Sequence, residues 1–168
     1  MVPPSQAFAS TNSNKVDVTL TAAVLQSLTL VVALPTVAFG NVTPGAGNNG
    51  LLPLSIISAW NLGSGQTVKL YAYFDSASTA MTGTLTGQLI PTSAMKASFN
   101  SGTTQTFTSS SPFTTGSTAM TLYSVPVTVS NLVNTRTDSL ALTLDLTDLS
   151  SLPTDAYTGT MHLQAQAL

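Results

Sequence analysis

The chain has no cysteine and no glutamate, and only one histidine and one tryptophan, in 168 residues. The first absence excludes disulfide staples, thiol nucleophiles and zinc–thiolate sites. Charge is scarce as well: 6% of residues carry it, against roughly 25% in an average soluble domain. The four basic residues, Lys15, Lys69, Lys96 and Arg136, are scattered along the chain. They cannot form the basic stripe that phosphate backbones require, so nucleic acid is not an expected partner. A lone His162 has no second imidazole to share a metal with, and no G-x-S-x-G elbow supplies it with a nucleophile. Catalysis is therefore not expected, and neither is a cofactor. What remains is rich in Ser, Thr, Asn and Gln among neutral β-formers, a composition that suits an exported surface or fibre protein.

The most informative stretch is KVDVTLTAAVLQSLTLVVAL, Lys15 to Leu34. Its even positions read Val16, Val18, Leu20, Ala22, Val24, then Gln26, Leu28, Leu30, Val32 and Leu34. Apolar residues at every second position are the mark of a strand with one face on a core. A membrane helix needs about 20 mostly apolar residues, and here Thr, Gln26 and Ser27 interrupt and Pro35 follows. No transmembrane span is expected. At roughly 3.3 Å per residue the run is too long for one strand, and the polar break at Gln26–Ser27 divides it. The second half is expected to join its own domain, while Val16, Val18, Leu20, Ala22 and Val24 form the inward face of a strand free to pair elsewhere.

Further strands are predicted at 52–60, 66–75, 83–90, 94–99, 119–130, 138–146 and 156–168, each bounded by turn-forming residues. Pro126 within its run predicts an edge strand or a bulge, and 100–116 reads as loop. No βαβ spacing occurs. The expected fold is all-β: an antiparallel, immunoglobulin-like β-sandwich of about seven or eight strands with a long N-terminal strand or arm. Residues 1–14 read as an irregular N-terminal segment and 15–168 as one sandwich domain, with 15–25 as the candidate donor arm. AFAS, Ala7 to Ser10, has the small-x-small shape of a signal-peptidase site, although only MVPPSQ precedes it.

Near the C-terminus Asp145, Asp148 and Asp155 crowd one stretch. Clustered oxygens can hold calcium, but the spacing matches no EF-hand loop, and turn or cap roles for Asp are commoner. Asn41–Thr43 fits a glycosylation sequon that arises readily by chance in a Thr-rich chain. More specific is DAYTGT, whose Asp155 and Tyr157 have the D-x-Y shape of a tyrosine corner, the feature that opens strand F of an immunoglobulin-like sandwich. Only one strand follows it in this sequence, which leaves the place of strand G unfilled.

Three pieces together carry a resemblance: the alternating strand leading into VAFGNVTPG (37–45), LIPTSAMKASFNSG (89–102) and LPTDAYTGTMHLQAQAL (152–168). In these the chain resembles secreted bacterial immunoglobulin-like surface proteins, the spore-coat-U-like and fimbrial-type subunits. The resemblance implies export to the cell surface and, for the fimbrial branch, polymerisation in which a neighbour's N-terminal strand fills a groove. The chain differs from the chaperone–usher pattern in lacking the usual subunit disulfide. The leading expectation is a non-catalytic structural subunit of an extracellular fibre, pilus or coat whose partner is itself. The alternative is a monomeric surface adhesion or binding module, with an unspecified ligand, whose arm completes its own sandwich.

Overall fold

The computed structural model describes residues 21–108 and 119–168. Within them the chain forms β1 (Ser27–Val32), β2 (Gly47–Asn49), β3 (Leu54–Asn61), β4 (Thr67–Tyr73), β5 (Met81–Gly83) and β6 (Leu89–Ile90). A single 3₁₀ turn at Thr92–Ala94 leads into β7 (Met95–Phe99) and β8 (Gln105–Thr106). The last four are β9 (Met120–Pro126), β10 (Val133–Asp145), β11 (Tyr157–Thr158) and β12 (His162–Ala167). Seven of these strands have five or more residues, and all pair antiparallel.

Two principal sheets make the sandwich. One runs β1-β3-β10-β7-β8, with β2 continuing beside β10 where β3 has ended; the other runs β12-β4-β9. The order β1, β3, β10, β7 is the A-B-E-D order of immunoglobulin-like folds, and β12 beside β4 is the F-C pair. β9 takes the outer place next to β4. A small sheet of β11, β5 and β6 closes one end.

Alternation decides which residues face inward. Leu54, Ile56, Ser58 and Trp60 of β3, Val68, Leu70 and Ala72 of β4, and Leu140, Leu142 and Leu144 of β10 are buried, while the residues between them are partly or fully exposed. The inward face of β10 also carries charge. Arg136 donates from Nε and Nη2 to Asp138, each at 2.6 Å, and lies 4.2 Å over the Tyr123 ring. Burial pushes the Asp138 carboxyl up, but the bonds from Arg136 and the Asn100 amide outweigh it and hold the group below its ordinary value. The Tyr123 hydroxyl donates to Ser58 Oγ at 2.8 Å. A buried polar cluster is tolerated because each member is hydrogen-bonded.

Several strands differ from the sequence reading. Residues 21–26 are exposed and form no strand, so this part of the long run does not continue β1. The run expected at 83–90 is a turn: Gly87 adopts φ +68°, and only 89–90 pair as β6. β10 begins at Val133, five residues before the expected 138, because pairing with β3 carries it through a polar stretch. The last run is split at Gly159. A Cβ on Gly159 falls 1.9 Å from the Ala80 carbonyl oxygen, so the chain crosses Ala80 there only without a side chain. Pro126 does lie in an edge strand, and the β4–β9 register shifts at Leu70/Tyr71.

Candidate functional site: an open interstrand groove

β1 starts opposite Asn61 and ends opposite Ile56. β12 runs the other way, with Ala167 opposite Val68 and His162 opposite Tyr73. Ser27, Asn61, Val133 and Ala167 therefore mark one pole of the sandwich, called here the exit pole because residues 21–26 leave from it. Asp145, Leu152 and Tyr157 mark the far pole.

Each of the two principal sheets ends on a strand with an unpaired edge among the described residues, β1 in one and β12 in the other. The register shows which main-chain groups have no partner among the described residues. Leu168 and Thr67 exchange both N–H···O bonds, at 3.0 and 2.8 Å. In an antiparallel ladder such pairs alternate with non-bonded ones, so Leu163, Ala165 and Ala167 turn their N–H and C=O away from β4. By the same count from Ala33 N–H to Ser55 O, Leu28, Leu30 and Val32 turn theirs away from β3. The residues with free main-chain groups are the same ones whose side chains pack on the core.

Between these edges lies an apolar groove. Its first lobe, of about 460 Å³, is walled by Leu30, Val32, Phe39, Leu54, Met161 and Leu163, among others. A second lobe of about 630 Å³ shares Val37, Phe39 and Met81 with the first and continues past Leu144 to Leu152 and Tyr157. The first lobe reaches Leu30 and Leu163, and the second extends to Leu152 and Tyr157. β1 lies beside β12, and Leu28, Ala165 and Ala167 pack on the core.

Sequence reasoning named seven residues for this region. Val16, Val18 and Leu20 lie outside the described residues. Ala22 and Val24 are described and exposed, Val24 at 81%. Asp155 and Tyr157 stand together at the groove's far end. The Tyr157 hydroxyl donates to the Pro153 carbonyl at 2.9 Å. The Asp155 carboxylate accepts from the backbone N–H of Leu85, Thr86 and Ala156 and from the hydroxyls of Thr84 and Thr86. It thus holds the β5–β6 turn against the segment that leads into β11.

The other chemistry-bearing groups do not converge. Asp145 pairs with Lys96 and accepts from Thr147, while Asp155 serves the β5–β6 turn. No group of three or more His, Cys, Asp or Glu among the described residues is placed to hold a metal ion, so the calcium reading of Asp145, Asp148 and Asp155 has no shared site. His162 stacks on Tyr73 with centroids 5.1 Å apart, and its Nε2 stands 3.2 Å from Asp75 without the alignment of a hydrogen bond. No described helix is long and apolar enough to cross a membrane. Neither family models, curated proteins nor solved structures give a match to this chain.

The hydrogen bonds from Thr86, above all its hydroxyl, hold the Asp155 carboxyl well below the ordinary carboxylate range; those from Lys96 and Thr147 do the same for Asp145. A carboxyl lowered in the folded state stabilises the fold fully above its unfolded pKa of about 4 and loses that contribution as pH falls below it. Thermal unfolding should therefore be flat with respect to these groups at neutral pH and fall progressively below about pH 4. Asp155→Asn should start lower at pH 7 and decline less steeply in acid. An acid decline identical to that of the parent contradicts this assignment.

Proposed function

We propose that the protein is a non-catalytic structural subunit of an extracellular fibre or coat, in which the arm centred on Val16–Val24 of one copy fills the β12 groove of another. The observation that carries this reading is the groove itself: an apolar cleft flanked by two strand edges whose main-chain groups are unpaired among the described residues. Strand addition uses both features, main-chain hydrogen bonds for affinity and side-chain pockets for alternate residues. The arm offers the matching pattern, apolar at every second position from Val16 to Val24 and without charge after Asp17. The resemblance to spore-coat-U-like and fimbrial-type surface proteins points the same way and is the basis for placing the chain outside the cell.

The alternative is an arm that completes its own sandwich. Gln26 is exposed at the exit pole, and its amide nitrogen lies 3.1 Å from where a Cβ on Gly63 would stand. Val24 and Leu25 are 81% and 85% exposed rather than turned back onto β1. A contact of this head-to-tail kind does not close on itself and yields filaments. Negative-stain microscopy of the concentrated full chain should show them. A stable monomer at high concentration on size exclusion supports the self-completed module instead.

A further inference from the structure

The outward face of the β12-β4-β9 sheet has a chemistry that the core does not explain. Val68, Leu70 and Ala72 of β4 are buried, and Leu163, Ala165 and Ala167 of β12 pack on the core. Strand alternation therefore turns Lys69, Tyr71 and Tyr73 of β4, with His162, Gln164 and Gln166 of β12, to the outside. All six are partly exposed. Of the other aromatic residues described, Trp60, Phe74, Phe107 and Tyr123 are buried, and Phe39, Phe99 and Tyr157 pack against the core. Tyr71 and Tyr73 belong to neither group. The other principal sheet has no such face: its outward cross-strand rows include Thr29–Ala59–Thr135 and Val31–Ile57–Thr137.

The six residues stand in register. His162 lies opposite Tyr73, Gln164 opposite Tyr71 and Gln166 opposite Lys69. Some are also fixed in place. The Tyr73 and His162 rings stack with centroids 5.1 Å apart, and the Tyr73 hydroxyl donates to Gln164 Oε1 at 2.9 Å. Side chains already held in one arrangement lose less freedom when a ligand arrives. From Lys69 to Tyr73 the row spans about 13 Å, from the rise of a strand residue. That is longer than one sugar ring.

We infer that this face is a binding site for a neutral oligosaccharide chain. An aromatic ring has a negative face, which attracts the C–H groups of a pyranose because their oxygens polarise them. A primary amide both donates and accepts, which suits neighbouring hydroxyls. With Gln164 Oε1 accepting from Tyr73, the Gln164 NH₂ group remains a donor for a ligand. Charge argues for a neutral partner. Lys69 and Asp75, the latter 3.2 Å from His162 Nε2, give the row one charge of each sign. The chain's net charge is −2, so a polyanion is not favoured. The inference does not rest on the strand-addition reading, because it uses outward side chains and no main-chain edge.

Isothermal titration of the full chain with cellohexaose, xylohexaose, mannohexaose and maltohexaose tests it. At least one should bind with a Kd below about 1 mM, and polygalacturonate should bind more weakly. Tyr73→Ala and Gln164→Ala should each lower that affinity at least about tenfold. Thr137→Ala, on the outward face of the other sheet, should leave it unchanged. Gln164→Ala truncates a partly exposed side chain, so its thermal unfolding should stay close to the parent's, and it decides the matter if Tyr73→Ala does not fold. Failure of all four sugars to bind overturns the inference. So does tighter binding of polygalacturonate, an unchanged affinity in Gln164→Ala, or an equal loss in Thr137→Ala.

Discussion

Deleting residues 1–25 should leave a folded sandwich that no longer forms filaments. The deletion removes no strand of the described structure, since residues 21–26 are exposed and unpaired and β1 begins at Ser27. On the proposed reading, what it removes is the occupant of the groove. Three valines and one leucine on the arm's inward face contribute about 1.5–3 kcal/mol each on burial, a gross gain of about 6–12 kcal/mol. Ordering nine residues costs a comparable sum, at about 1–2 kcal/mol per residue. Apolar burial therefore does not suffice alone, and the main-chain bonds to the free edges at Leu163, Leu30 and Val32 tip the balance. For the same reason partial truncation should act steeply: removing residues 1–18 should already raise the critical concentration by orders of magnitude. Filaments that persist after deletion of 1–25, seen by negative-stain microscopy, contradict the arm's role.

Leu20→Asp should abolish assembly, whereas Thr19→Asp should leave it within a few-fold of the parent. The two substitutions place the same charge one residue apart. Successive side chains of a strand point to opposite faces, so one carboxylate enters an apolar groove and the other meets solvent. An unpaired buried charge costs several kcal/mol, equivalent to a thousandfold or more in affinity. Among the described residues no lysine or arginine lines either lobe of the groove to offset it. Equal effects at 19 and 20, measured by light scattering across a concentration series, would mean that the arm does not dock as a strand with a fixed face. Both positions lie outside the described residues, and on the proposed reading unfolding temperatures should be unchanged for both.

The strands whose side-chain pattern is local were readable from the sequence. Leu28, Leu30 and Val32 alternate inward as their spacing implies, and the break at Gln26–Ser27 coincides with the start of β1. The 84–88 turn was misread because its alternating Thr and Leu residues imitate a strand. What bends it is a carboxylate about 70 residues away, Asp155, together with the left-handed Gly87. The start of β10 was missed for a related reason. Val133–Thr137 shows no apolar alternation, and its inward residues, Arg136 and Asp138, are buried only because they satisfy each other. The groove was the least legible feature of all. Its walls come from β1, the 35–44 segment and residues 157–163, and only the topology brings them together. The sequence could suggest that a strand's place was unfilled. It could not show which residues wall the opening.

The account's central claim is that β12's outer edge is occupied by a strand from another copy. Amide hydrogen exchange at Leu163, compared between parental filaments and the Leu20→Asp protein, tests this most directly. Gln164 faces β4 and should be protected in both. Leu163 faces outward, and its amide should exchange freely in the variant and slow by orders of magnitude in the filament. Equal exchange at Leu163 in the two samples would contradict the account, because the groove would then be empty in the assembled state.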